Sequence, residues 1–193
     1  MTGLGKLWRR LRGGGTEEDE TVVRFRVAVA SALEGDLDRE RLEALRREAA
    51  SLGVPEEEVE LELEMVEGGL AELDFREEIA RTGLPVVAHQ HKALGADRCH
   101  LIASATLLAG EHGRPGRLFV TEHRLVFLAS PMLAVPWNGV HRVEQSGRDV
   151  IVAATRGATF RFRFGSFADT RKVRWLVQAR ISGLGQGFSD KSG

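Results

Sequence analysis

All six histidines of the 193-residue chain and its lone cysteine fall between His89 and His141, so metal or thiol chemistry would have to be built there. His89, His91, Cys99 and His100 are ligand types that zinc takes. Their spacing matches no familiar zinc pattern, for there is no second cysteine pair and no helical His-x-x-x-His. A cysteine nucleophile needs an activating base and an open site. Cys99 instead stands in an alternating apolar run, where packing is the better use of it. No Gly-x-Ser-x-Gly elbow, phosphate loop or paired-carboxylate arrangement occurs. The residues therefore read as non-catalytic, with no cofactor and no metal.

The arginines are more informative. Arg114 and Arg117 flank glycines in what reads as a glycine-rich loop, 110–116, with His112 nearby, and guanidinium groups offer bidentate donors to phosphate. The stretch lacks a dense Lys/Arg cluster, so it suits weak attraction to an anionic surface better than recognition of one headgroup. Arg161 and Arg163 alternate with Phe160, Phe162 and Phe164, and Arg156, Arg171, Lys172, Arg174 and Arg180 extend the basic character. Few aromatics remain for stacking bases once the phenylalanines enter a core, and nucleic acid is not the expected partner.

A second binding element opens the chain. Leu4, Leu7, Trp8 and Leu11 keep i, i+3, i+4, i+7 spacing, while Lys6, Arg9, Arg10 and Arg12 occupy the other faces. A Trp/Leu stripe with a cationic flank suits a membrane interface or a protein partner. Alone it is marginal, because an isolated helix needs roughly 12–15 residues. Gly13-Gly14-Gly15 then act as a hinge.

Composition is that of an ordinary soluble protein, 42% hydrophobic and 28% charged. No apolar run reaches the roughly 18–20 residues that a bilayer requires. The single cysteine fits a reducing compartment, and the expected location is cytoplasmic, at or near the inner face of the membrane. The net charge of −1 conceals a segregation. Residues 1–15 carry four basic and no acidic groups, 16–83 carry 8 basic against 21 acidic, and 84–193 carry 15 basic against 7 acidic. Such halves either serve different surfaces or dock on each other.

Positioning these residues takes two kinds of architecture. In 16–83 the spacing predicts helices over 17–33, over 39–52 with Asp38 as cap and Gly53 as stop, and from Pro55 through Glu67. Gly68-Gly69 should interrupt that third helix before a fourth over 70–81. Residues 82–97 read as an unpatterned boundary. Thereafter the period becomes two, with strands at 98–108, 117–121, 124–129, 132–137, 140–145, 149–154 and 159–164. Cys99, Leu101, Ala103, Ala105 and Leu107 should share one side of the first strand. A closing helix has Ser166 as cap and Val173, Leu176, Val177 and Ile181 as its stripe. Trp175 points about 200° away from Val173 and should either cover the helical region, the preferred reading, or meet an outside partner. The expected division is a 1–15 tail, an acidic helical domain at 16–83, a strand domain at 84–183 and a flexible tail at 184–193.

The hairpin Gly116-Arg-Leu-Phe-Val-Thr-Glu-His-Arg-Leu-Val-Phe127, followed by Ala134-Val135-Pro136-Trp137-Asn138-Gly139-Val140-His141-Arg142-Val143, resembles the GRAM and bacterial PH-like families. Their pattern is Gly-x-Leu-x-hydrophobic-Thr-x-x-Arg-Leu-x-Phe. More weakly, Ala30–Glu67, with its Glu34-Gly35-Asp36-Leu37-Asp38 and Leu52-Gly53-Val54-Pro55 turns, resembles tellurite-resistance-B-type helical domains. Together these imply an α+β chain: a small helical bundle, then a PH-like seven-stranded β-barrel capped by a C-terminal helix. The implied function is that of an adaptor engaging a protein segment or the anionic inner membrane surface. The candidate contacts are Leu4, Leu7, Trp8, Arg9, Arg10, Leu11, Arg12, Arg114, Arg117, Arg161, Arg163 and Trp175. A metal- or cysteine-dependent hydrolase and a weak nucleic-acid binder stand as the alternatives.

Overall fold

The computed structural model describes residues 20–109 and 112–183. Three helices come first: α1 (Glu20–Glu34), α2 (Arg39–Leu52) and α3 (Glu56–Thr82). Asp38 caps α2 by accepting from the Arg41 amide at 2.7 Å, and Gly53 ends it at φ +68°, a left-handed position that glycine takes without strain. Phe25, Val29 and Ala32 of α1, Leu42, Leu45 and Ala49 of α2, and Leu63 and Val66 of α3 form the bundle core.

The expected break at Gly68-Gly69 does not occur, and α3 runs for 27 residues. Mid-helix glycine costs about 1 kcal/mol relative to alanine. Here the missing side chains admit neighbours instead: a Cβ on Gly69 would meet Leu37 Cδ2 at 2.6 Å, and Gly68 faces Phe167. The glycines mark a crossing point rather than a turn.

Seven antiparallel strands follow: β1 (Cys99–Ala109), β2 (His112–Thr121), β3 (Arg124–Leu128), β4 (Leu133–Pro136), β5 (Val140–Ser146), β6 (Asp149–Ala154) and β7 (Thr159–Phe164). Their order is β4-β3-β2-β1-β7-β6-β5, and α4 (Phe167–Ile181) closes the unit. This is the expected α+β arrangement of N-terminal helices, seven strands and a C-terminal helix. The expected barrel, however, is an open sheet, because β4 and β5 are its two edges and do not pair. The four-residue β4 is short, and a register irregularity between Val140 and Arg142 interrupts β5; short or irregular strands are typical of sheet edges. All seven strands and α4 contribute to one core, centred on Phe127 and Phe162 with ring centroids 5.4 Å apart. Ser166 caps α4 by accepting from the Asp169 amide.

Two further expectations are corrected. Residues 112–116 belong to β2 rather than to a loop: Gly113 pairs with Leu108 and Pro115 with Thr106. Their composition is a packing device, since a Cβ on Gly116 would lie 2.5 Å from the Leu128 carbonyl oxygen. Cys99 also leaves the face of Ala103, Ala105 and Leu107. An irregularity between Cys99 and Leu101 shifts the register, and in a period-two strand one extra residue reverses the facing. Cys99 therefore joins Leu94, Phe119 and Val126 in a second small core on the outer face. That core is roofed by the segment read as an unpatterned boundary, with Val87 and Leu94 lying over the sheet.

Candidate binding surfaces

Register determines which arginines meet. Directly paired residues in an antiparallel ladder share a face. Thr106 pairs with Arg163, Leu108 with Arg161, and Ser104 with Arg117, which puts Arg117, Arg161 and Arg163 on the outward face of β7-β1-β2. Arg142, opposite Ala153, extends that face to β5, together with Asp149 and Glu144. Arg114 is opposite Leu107, a core residue, and so belongs to the other face. The structure thus separates Arg114 from Arg117, Arg161 and Arg163, the other predicted arginines among the described residues.

The outward cations are partly neutralised. Asp149, 3% exposed at its side chain, accepts from Arg161 Nε at 2.6 Å and from Arg163 Nε at 2.8 Å. Burial by itself would raise its pKa, but hydrogen bonds from Arg163 and Arg161 and their charges outweigh this and hold the carboxyl below the usual range. Arg142 pairs with Glu144. Arg117 is exposed and lies 6.0 Å from the centroid of the Phe119 ring.

The basic side of α4 is covered by the acidic helices. Buried Glu72 of α3 faces Arg174 at 3.6 Å, Arg76 at 3.7 Å and Arg171 at 3.8 Å. Glu64 pairs with Arg148 and accepts from the Phe167 amide at 3.3 Å, placing negative charge at the start of α4. Burial lowers the pKa of Arg171. Trp175 lies in this seam, edge-on to Phe75 at 5.9 Å with Arg76 above its ring. Its expected placement over the helical region is what the structure shows. Leu4, Leu7, Trp8, Arg9, Arg10, Leu11 and Arg12 lie outside the described residues.

The metal candidates are dispersed. His89 Nε2 lies 3.1 Å from the Asp97 carbonyl oxygen, His91 accepts from the Ala93 amide, and His100 Nδ1 lies 2.8 Å from the Pro85 carbonyl oxygen. Cys99 is buried and donates to the Leu101 carbonyl, and burial pushes its thiol pKa up, away from the reactive thiolate. Among the described residues no three His, Cys, Asp or Glu side chains converge as a metal site.

A constellation that sequence reasoning missed lies at the β2-β3 turn. Asp97, whose side chain is 9% exposed, accepts from the Thr121 hydroxyl at 2.8 Å and Arg124 Nε at 3.3 Å, and sits 2.9 Å from His123 Nδ1. Burial would raise the Asp97 pKa, but these partners, His123 first, hold it below the ordinary value. Arg124 also donates to the Ala93 carbonyl, so the turn clasps the roofing segment. Trp137 braces the turn by donating its indole N–H to the Thr121 and Glu122 carbonyls. The signal was present as the Thr-x-x-Arg of the hairpin pattern, but its acceptor, Asp97, lay in the stretch read as a boundary.

No family model matches the chain, and no curated protein does. Among solved structures it is similar to the C-terminal domain of an unknown protein from Leishmania infantum, at 15% identity over 57% of this chain and 97% of that one, with a TM-score of 0.42. It is also similar to Inner Membrane Complex Sub-compartment Protein 3 from Toxoplasma gondii, at 11% identity over 44% of this chain and 77% of that one, TM-score 0.39. A third is the DH/PH fragment of PDZRHOGEF in complex with human RhoA, at 12% identity over 93% of this chain and 54% of that one, TM-score 0.41. This chain thus spans about half of that fragment. All three likenesses are too distant to carry ligand or activity across.

Proposed function

We propose that the chain is a non-catalytic adaptor that holds to an anionic surface through the outward sheet face and the basic amphipathic segment at its start. The observation that carries this is the convergence of Arg117, Arg161 and Arg163 on one face, with Arg142 beside them, against Asp149 and Glu144 among the described residues of those strands. The resemblance of the second half to GRAM and bacterial PH-like modules, and of the first to tellurite-resistance-B-type domains, accords with a binding role. No helix among the described residues is long and apolar enough to cross a membrane. Surface attraction of about 1 kcal/mol per basic residue makes the two patches together stronger than either alone.

The test is co-sedimentation of the full chain with anionic and with zwitterionic vesicles, alongside capture by an immobilised polyglutamate peptide. Arg117→Glu and the triple change Arg9→Glu, Arg10→Glu, Arg12→Glu should each weaken anionic binding several-fold at low salt. Binding to vesicles selects the membrane, and capture by the peptide alone selects an acidic protein surface. Retention on neither probe overturns the proposal.

A further inference from the structure

Beside the β2-β3 turn, Ala96, Asp97, His123, Arg124 and Pro136 line an open cleft of about 500 Å³. It lies on the same side of the sheet as Arg117 but at the opposite end of β3, formed by the turn, the roofing segment and the end of β4. Two features suit it to a ligand. Asp97 Oδ1 engages His123 Nδ1 at 2.9 Å, so that nitrogen carries the hydrogen and Nε2 is the free edge of a ring whose side chain is 78% exposed. Arg124 uses Nε on Asp97 and Nη2 on the Ala93 carbonyl, which leaves Nη1 as an uncommitted donor at the same cleft. Ala96 and Pro136 supply apolar wall between these polar groups.

We propose that this cleft binds a small ligand bearing a carboxylate or phosphate, whose oxygens are taken by protonated His123 Nε2 and by Arg124 while its body rests on Ala96 and Pro136. Asp97 cannot itself repel the ligand strongly, because its charge is already shared among Thr121, His123 and Arg124. It orients the imidazole. The charged groups around His123 are Asp97 from the roofing segment, which it contacts directly, Arg124 from β3, which shares Asp97 with it, and Arg180 from α4, whose charge acts on Asp97 and Glu122. Glu122 precedes it in the turn and Arg98 lies 3.7 Å from Glu122. With Asp97 offsetting Arg124, the positive charge turned toward the ligand is that of the protonated His123 ring.

The experiment is a nuclear magnetic resonance titration of the ¹⁵N-labelled full chain. Inorganic phosphate and acetate are added separately, with chloride at matched ionic strength as the control, at about pH 5.5 and about pH 8, either side of the range in which imidazoles titrate. Saturable shifts of the Ala96 and His123 backbone amides are expected with at least one of the two oxyanions. A response to phosphate alone assigns a phosphorylated ligand, and a response to acetate assigns a carboxylate. His123→Gln, an exposed substitution that leaves Thr121 and Arg124 on Asp97, should lower affinity about tenfold at the acid pH and much less at pH 8. Shifts no larger than those with chloride, or an undiminished response in His123→Gln, overturn the proposal. Neither outcome depends on vesicle binding by the outward face.

Discussion

Gly68 of α3 and Phe167 of α4 approach so closely that a Cβ on the glycine would stand 2.7 Å from the Phe167 Cβ and 2.9 Å from its carbonyl carbon. The acidic helical bundle and the sheet unit are joined at this crossing, and Glu64 and Glu72 flank it on α3. The charge segregation of the sequence is thus used in part internally, to dock one half on the other.

Gly68→Ala should destabilise the protein even though alanine is the better helix former. The propensity gain is about 1 kcal/mol, whereas overpacking against backbone atoms costs about 1–3 kcal/mol. Gly69→Ala meets side-chain tips and no backbone: Leu37 Cδ2 at 2.6 Å, which can rotate away, and Leu33 Cδ2 at 3.4 Å. Urea denaturation should therefore rank Gly68→Ala below Gly69→Ala, and the reverse order would show that the crossing yields easily.

Glu72→Gln should loosen the same seam by removing the charge that faces Arg76, Arg171 and Arg174. Breaking a buried pair by deleting one partner costs up to several kcal/mol; with Arg174 and Arg76 partly in solvent, about 2 kcal/mol is expected here. Arg171, already destabilised in its charged form by burial, loses its principal partner. Hydrogen exchange should quicken first in α4, and unchanged α4 protection would count against the latch.

Stability should fall in two separate pH windows. Burial, the main influence on His100, lowers its pKa in the fold, with nearby Arg180 acting in the same direction and the Pro85 carbonyl, Glu122 and Asp97 opposing. A neutral imidazole is then favoured in the native state. As pH drops below the unfolded value of about 6.5, the unfolded chain binds the proton first and stability declines. His100→Gln should remove that slope. Asp149 and Asp97 have lowered values, so their contribution is present above about pH 3.9 and is lost as pH falls through the folded values. Asp149→Asn should flatten this acid limb and leave the upper one. Urea midpoints across pH 3–8 separate the two, and a His100→Gln slope equal to that of the unsubstituted protein would refute the first.

Local chemistry made much of the fold legible from the residue row. Asp38 and Gly53 bound α2 because a short acceptor and a left-handed position are demanded there by adjacent backbone groups. Phe162 and Phe164 face the core because a strand alternates, and Val173, Leu176 and Val177 do so because a helix repeats every 3.6 residues. Long-range arrangement decided the rest. Gly68, Gly69, Gly113 and Gly116 read as breaks, but each admits a neighbour from another segment of the fold, and nothing adjacent to them encodes that approach. The facing of Cys99 turned on one irregular residue in β1. Arg161 and Arg163 read as free cations until the β6-β7 register brought Asp149 between them. By the same logic the cleft of Asp97, His123 and Arg124 exists only because residues 24–27 positions apart are folded onto one turn. Sequence determined the elements and their buried faces, which depend on neighbours along the chain, while tertiary structure decided which charges meet, because that depends on register and crossing.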